Sequence, residues 1–273
     1  MKYNNSMFTK EEKRNILSNY LQLKDFNKLI EETSYTKEEL FSILLSAGIP
    51  NDELVPHITI PSIDEKKILI ISDTHLGSIY NNISYIFQTY EYALLNNIST
   101  IIHLGDLFQS TIKNVSPNFI DPSKQLLLAI SIFEQFPTIK TYILLGNHDL
   151  HLLKKDSSFY VELSSLSNLI ILGYKKAYLT WQNIIISLHH PTTKYDLTIP
   201  YIQEKIKLYG HRHQLHLKDD KIFAPPLSDD VKTYNDEEGI PGFIIMTINQ
   251  DEINIEVVNL PNKSNEKKLI YKK

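Results

Sequence analysis

Residues 68–75 read Ile68-Leu69-Ile70-Ile71-Ser72-Asp73-Thr74-His75. Four consecutive apolar residues without polar alternation fit a strand buried on both faces, and the run stops in side chains able to bind a metal. The same pattern is met four more times. Thr100–Leu104 leads into Gly105-Asp106, and Tyr142–Leu145 into Gly146-Asn147-His148-Asp149. Ile184–Leu188 leads into His189-His190-Pro191, and Ile206–Tyr209 into Gly210-His211-Arg212-His213. Between the first two runs, Ile83, Ile86, Phe87, Tyr90 and Leu94 keep helical spacing. Between the second and third, Asp121 can cap a helix that has Pro122 at its first position and stops before Pro137. Strand and helix in alternation predict an α/β fold with both sheet faces covered. In such folds ligands bind beyond the carboxyl ends of the strands, where all five motifs fall. After Gly210 the chain becomes strand-rich, with Lys221–Ala224, Gly242–Asn249 and Glu252–Asn259 alternating as antiparallel strands do.

The first sixty residues follow a different pattern. Thr9 with Glu12 and Thr36 with Glu39 read as capping boxes. Ile16, Leu17, Tyr20 and Leu21 have helical spacing, as do Phe41, Ile43, Leu44 and Leu45, and Phe26, Leu29 and Ile30 allow a short helix between them. Gly48 and Pro50 end the last helix, and Ile49–Glu65, with three prolines, reads as a linker. The expected division is therefore a helical region over 1–62 and an α/β domain over 63–273. Three short helices resemble a helix-turn-helix module, yet residues 1–50 have balanced charge and no basic face. Docking of a protein partner or a second copy through residues 1–50 fits them better.

Bulk properties exclude some chemistry. The 273-residue chain is 42% hydrophobic and 22% charged with a formal net charge of -4, so nothing in the charge calls for nucleic acid or an anionic membrane. Nucleic acid stays open as a substrate, because bound metal ions can supply positive charge locally. The absence of cysteine removes disulfides and thiolate ligands and fits a reducing compartment. No signal-like apolar core or run of membrane length occurs, and the expectation is a soluble, cytoplasmic protein.

The candidate metal ligands are Asp73, His75, Asp106, Asn147, His189, His211 and His213. Positions i and i+2 of an extended segment point the same way, which would aim Asp73 with His75, and His211 with His213, into one pocket. Gly105, Gly146 and Gly210 directly precede ligands and are three of only eight glycines. Asp, Asn and His donors without thiolate suit manganese, iron or zinc better than magnesium or calcium.

As an ordered set, SDTH, GD, GNHD, HH and GHRH over Lys66–His213 resemble the calcineurin-like metallophosphoesterase superfamily. The resemblance implies a sandwich of two mixed sheets flanked by helices, with the small helical region preceding it. It implies two divalent ions, one on Asp73, His75 and His213, the other on Asn147, His189 and His211, with Asp106 bridging. His189 is preferred to His190 by analogy with relatives that carry His-x-Pro. His148 would be the catalytic proton donor and Asp149 would orient a histidine. His151, His190 and Arg212 are candidates for facing substrate, although Arg212 alternates away from its neighbouring histidines. His103, inside a strand, reads as a hydrogen-bonded core residue.

The implied reaction is hydrolysis of a phosphate ester by a hydroxide between the ions. Two ions of about +4, two aspartates and a hydroxide leave roughly +1, which matches a phosphodiester monoanion. A phosphodiesterase acting on a nucleotide, nucleic acid or small diester is the leading expectation. A phosphomonoesterase or pyrophosphohydrolase, a DNA nuclease and a metal-stabilised binding scaffold stand as alternatives.

Overall fold

The computed structural model describes residues 9–23, 25–36, 39–40, 43–44, 61–156, 158–191, 204–218, 220–230, 239–249, 252–260 and 264–272. In chain order these form α1 (Lys10–Leu23), α2 (Phe26–Glu32), β1 (Ser62–Ile63), β2 (Lys67–Ile71), α3 (Ile83–Leu95), β3 (Thr100–His103), α4 (Pro122–Glu134), β4 (Lys140–Leu145), α5 (Asn147–Lys155), α6 (Ser158–Ser164), β5 (Leu169–Tyr174), β6 (Lys176–Trp181), β7 (Ile184–His189), β8 (Ile206–Tyr209), β9 (His216–Lys218), β10 (Lys221–Phe223), β11 (Gly242–Asn249), β12 (Glu252–Asn259) and β13 (Ser264–Lys272).

The apolar runs of β2, β3 and β4 are explained by two cores, one on each face of the first sheet, whereas those of β7 and β8 lie in the second sheet and enter only one core. That sheet has seven strands in the order β13-β12-β11-β2-β3-β4-β5, with β2 to β5 parallel. Leu69 and Ile71 of β2 pack beneath the helices, whereas Ile68 and Ile70 face the second sheet. Ile101 and Ile143 follow the first pair; Ile102 and Leu144 follow the second. The second sheet has six strands in the order β1-β6-β7-β8-β10-β9 and contributes Leu179, Trp181, Ile186, Leu188 and Leu208 to the shared core. Two mixed sheets flanked by helices therefore form the expected sandwich.

Five strands escaped the sequence reading: β1, β5, β6, β9 and β13. Leu169–Tyr174 lies at the sheet edge and leads into no metal-capable side chain. Lys175, at a φ of 63°, then passes the chain into the second sheet. β6 and β7 form a hairpin across Gln182 and Asn183, which both have positive φ, 47° and 65°. A two-residue turn of that hand matches the twist of the strands it joins.

The capping boxes form: Thr9 N–H donates to Glu12 Oε2 at 2.6 Å and Glu12 N–H to Thr9 Oγ1 at 3.1 Å. Thr36 and Glu39 repeat the exchange at 2.8 and 3.2 Å. Ile16, Tyr20, Phe26, Leu29, Leu40, Ile43 and Leu44 join the buried cluster beneath the first sheet's helices. The last part of the expected linker is a strand, since β1 pairs in parallel with β6. Its part over 49–60, the helix stop at Gly48 and Pro50, and Phe41 and Leu45 lie outside the described residues. Among the described residues, no helix is long and apolar enough to cross a membrane. Asp121 caps α4 as expected, accepting from the Ser123 N–H at 3.0 Å with Pro122 following.

Ile102 is fully buried between the sheets. Ile102→Ala is expected to cost about 2–5 kcal/mol of unfolding free energy, measured by denaturant melts of metal-free protein. A cost below about 0.5 kcal/mol, as at an exposed position, would contradict the two-sheet core.

Candidate metal centre

Beyond their last residues, β2 and β3 stay joined through backbone. Asp73 N–H donates to Gly105 O at 3.0 Å, His75 N–H to Asp106 O at 3.0 Å and Leu76 N–H to Leu107 O at 2.8 Å. The side chains converge for a different reason from the one expected. Asp73, His75, Asp106, His211 and His213 all have positive φ, between 45° and 75°, so neither Asp-x-His nor His-x-His is extended. Left-handed turns, not strand alternation, aim these pairs inward. Each costs roughly 1–3 kcal/mol in a non-glycine residue, and Asp and His are among the residues that tolerate it best. Gly105 has a φ of +105°, and a Cβ there would lie 2.5 Å from His190 Nδ1, so only glycine fits.

The resulting cluster is dense in donor atoms. His75 Nε2 and His213 Nε2 lie 3.1 Å apart, and Asp73 Oδ1 is 3.3 Å from His213 Nε2. Asp106 Oδ2 is 3.9 Å from His75 Nε2 and 3.2 Å from His190 Nε2. Asp73, His75 and His213 form one group able to hold an ion; Asp106, His190 and His211 form another. Asn147, the first residue of α5, leaves its Oδ1 buried without a hydrogen-bond partner. A buried, unsatisfied carbonyl oxygen fits a divalent cation, since an ion would supply the partner that no protein group provides.

One expected ligand is turned away. Ile184, Ile186 and Leu188 face the inter-sheet core, so His189 shares the opposite face of β7 with Ile185 and Ser187. Its Nε2 is bonded to Ser187 Oγ at 2.8 Å and its ring stacks on Tyr209 at 4.6 Å. His190, and not His189, groups with Asp106 and His211. His190 Nδ1 donates to Leu104 O at 2.7 Å, which fixes the ring with Nε2 toward Asp106.

A family model described as calcineurin-like phosphoesterase matches residues 66–247. The chain belongs to the calcineurin-like phosphoesterases. No curated protein matches it. Among solved structures it is similar to the phosphoesterase YfcE from E. coli, at 14% identity over 76% of this chain and 98% of that one, with a TM-score of 0.48. It is also similar to zinc-bound Vps29 from Entamoeba histolytica, at 14% identity over 76% and 98%, TM-score 0.44. Nuclease MPE from Pseudomonas putida is similar at 13% identity over 72% and 85%, TM-score 0.44.

In this phosphoesterase the cluster's electrostatics demand cations. Burial pushes Asp73 up, but His213, His190 and His75 outweigh it and hold the carboxyl well below its ordinary value. Burial is opposed in the same way at Asp106, mainly by His190, and that group too is lowered. Burial alone would depress His190, yet Asp106 and Asp73 lift it to about 9; His213 is depressed by burial and lifted by Asp73 to about 9. Burial drives His75 down to about 3. Without ions, protons on His190 and His213 balance the carboxylates, and a metal ion bound here would displace them.

The remaining sequence candidates are distributed around this centre. His148 N–H donates to Asp106 Oδ1 at 2.9 Å, and His148 Nδ1 faces Gln109 O at 2.9 Å. A ring nitrogen of His148 also lies within 4.8 Å of the ligand atoms of His75 and Asp106. Among the described residues, the hydrogen bonds of the Asp149 carboxylate run to backbone and not to a histidine. Asp149 accepts from Leu107, Phe108 and Gly146 N–H at 3.2, 2.9 and 2.8 Å, tying the Asp106 loop to the start of α5. Burial and nearby Asp106 raise Asp149 to about 6 against those bonds. His151 is engaged with Ser110 Oγ at 2.6 Å. Arg212 borders the cleft, but its guanidinium lies 4.6 Å over the Phe223 ring. His103 is buried and bonded to Thr74 Oγ1 and Gly105 N–H at 3.1 Å each.

An open cleft of about 700 Å³ exposes the cluster, and its walls include Gln109, Ile112, Lys113, Asn114 and Asp230, none singled out from the sequence. The signal for the first four was the long stretch without helix or strand periodicity between Leu104 and Asp121. Asp230, which accepts from His213 Nδ1 through its backbone carbonyl at 2.7 Å, had no such signal.

Metal binding separates the two adjacent histidines. His190→Ala is expected to lose bound zinc or manganese, measured as metal per chain after dialysis, while His189→Ala retains it. Wild-type protein should also gain about 2.7 kcal/mol of stability at a hundredfold excess over Kd, seen as a higher Tm. Equal metal retention by both variants would overturn the exchange.

Proposed function

We propose that the chain hydrolyses phosphodiesters with two divalent ions, manganese, iron or zinc. Asp73, His75 and His213 would hold one, Asn147, His190 and His211 the other, and Asp106 would serve both. The observation carrying this reading is the pair of histidine–aspartate groups that converge with His148 on one cleft, together with the buried, unpartnered Oδ1 of Asn147, the residue before His148. When bound, such ions activate water and neutralise charge on the transferring phosphorus.

The chain's own contribution centres on His148. A carbonyl oxygen only accepts, so the 2.9 Å contact means that His148 Nδ1 donates to Gln109 O. The second ring nitrogen is left to hold the proton that the leaving oxygen takes. The His148 N–H to Asp106 Oδ1 bond fixes the backbone of this residue to the carboxylate between the ions. Proton donor and metal cluster are thereby held in one frame.

Charge supports a diester. The ions, two aspartates and a hydroxide leave about +1. Lys113 and Asp230 offset one another at the cleft, and the Arg212 guanidinium is drawn over Phe223. A monoanionic diester is matched; a dianionic monoester is undercompensated. Nucleotides, nucleic acids and small diesters share this chemistry. Residues 1–62 serve in this reading as an accessory helical region and a surface for a protein partner.

With manganese present, bis-p-nitrophenyl phosphate should be turned over with a higher kcat/KM than p-nitrophenyl phosphate; the reverse order would refute the diester preference. His148→Ala should retain both metals and lose about 10²–10⁴ in kcat, the usual worth of a placed proton donor. Wild-type turnover by that variant would remove His148 from the reaction.

A further inference from the structure

Gln125 is a glutamine in the first turn of α4 with no exposed surface. A buried amide is costly unless its hydrogen-bonding groups are used, and here both ends are. Oε1 accepts from Ser110 N–H at 2.9 Å, while Nε2 donates to Ser110 O and to Phe119 O, each at 2.9 Å. Ser110 N–H and Gln109 C=O belong to a single peptide group, and that carbonyl accepts from His148 Nδ1 at 2.9 Å. Gln125 and His148 therefore grip opposite ends of one planar unit.

We infer that Gln125 is a positioning residue for His148, acting through the Gln109–Ser110 peptide; the inference rests on the reading of His148 as proton donor. An N–H bonded at one end polarises the peptide and strengthens the carbonyl as an acceptor at the other. The same bond sets the plane, so the carbonyl stays aimed at Nδ1 and the proton on Nδ1 stays in place. Two further features show that the peptide is held in an unusual pose. Ser110 has a φ of 65°, a conformation that needs support in a residue other than glycine. Gly77, at a φ of +93°, leaves room for Gln125: a Cβ at that position would lie 2.6 Å from Gln125 Cδ. The glycine after Leu76 is thus accounted for by the glutamine, with no direct part in the metal cluster.

The test uses full-length, manganese-loaded protein and two diesters, bis-p-nitrophenyl phosphate and diphenyl phosphate, whose leaving groups differ in their need for a proton. Gln125→Leu should lower kcat about 10–100-fold, with KM and metal content unchanged and the larger loss on diphenyl phosphate. In a His148→Ala background the same substitution should have no further effect on kcat. Gln125→Glu keeps the acceptor for Ser110 N–H and should stay within about threefold of wild type in kcat, well short of a proton donor's full worth. A role limited to bracing the loop, which needs both Nε2 donations, predicts equal damage from Glu and Leu, in both backgrounds and on both substrates. That result overturns the inference, and so does wild-type kcat in Gln125→Leu. If Gln125→Leu does not fold, the Gln125→Glu rate decides alone, with a loss as large as that of His148→Ala counting against the proposal. Wild-type kcat in His148→Ala would instead sink the proton-donor reading itself.

Discussion

Asp73 and Asp106 are ionisable groups taken wholly out of water at the end of a sheet, and the rest of the site answers to that burial. An unpaired carboxylate in such a place costs several kcal/mol. Part of the compensation is backbone and hydroxyl. Ser72 Oγ donates to Asp73 Oδ2 at 2.5 Å, His211 N–H reaches both Asp73 oxygens at 3.2 and 3.0 Å, and His148 N–H reaches Asp106 Oδ1 at 2.9 Å. The remainder is cationic, supplied by protonated His190 and His213 or by metal. The loops that deliver these donors must turn sharply. Five left-handed residues follow from that requirement, and their strain persists because the parallel strands beneath over-determine the backbone.

The two faces of β7 show how much strand phase decides. Adjacent histidines are indistinguishable by residue type, but the phase set by Ile184, Ile186 and Leu188 was present in the sequence and assigns His189 to the outer face. Analogy with a His-x-Pro pattern pointed the other way, and the backbone periodicity prevailed. The same principle explains the success of the strand readings. Uninterrupted apolar runs predicted strands covered on both sides, which holds for β2, β3 and β4; β7 and β8 place only one face in a core. The pairing of Asp73 with His75 was inferred from strand alternation, whereas left-handed turns bring the two together. Turn conformations of Asp and His are weakly specified by local sequence, so convergence could be inferred and its geometry could not.

Less of the cleft was readable than of the cluster. Metal-capable side chains announce themselves because Asp, His and Asn are rarely clustered after strands without purpose. A wall made of Gln109, Ile112, Lys113 and Asn114 has no comparable signature, because its position depends on tertiary anchors far away in sequence. Gln125 reads from the sequence as one more polar residue in an amphipathic helix. Its importance emerges only when α4 packs beside the loop and the helix carries it inward at full burial.

Asp149 and Gln125 solve one structural problem from opposite sides. The segment after Asp106 is irregular, so its backbone N–H groups lack the ladder partners that a strand supplies. Asp149 takes those of Leu107 and Phe108, adds Gly146, and so joins the loop to the helix that starts with Asn147 and His148. Gln125 takes that of Ser110 from a second helix. The two residues stabilise the loop with different electrostatics. Burial first, and repulsion from Asp106 second, raise the titration of the Asp149 carboxyl. A neutral amide at Gln125 avoids that repulsion while still offering an acceptor and two donors. An acidic residue holds the loop where three N–H groups converge; an amide holds it where the backbone presents both a donor and an acceptor. Along the bonds from α4 through the loop to α5, the His148 ring is oriented at Nδ1 by a neutral backbone carbonyl, that of Gln109, and not by a carboxylate.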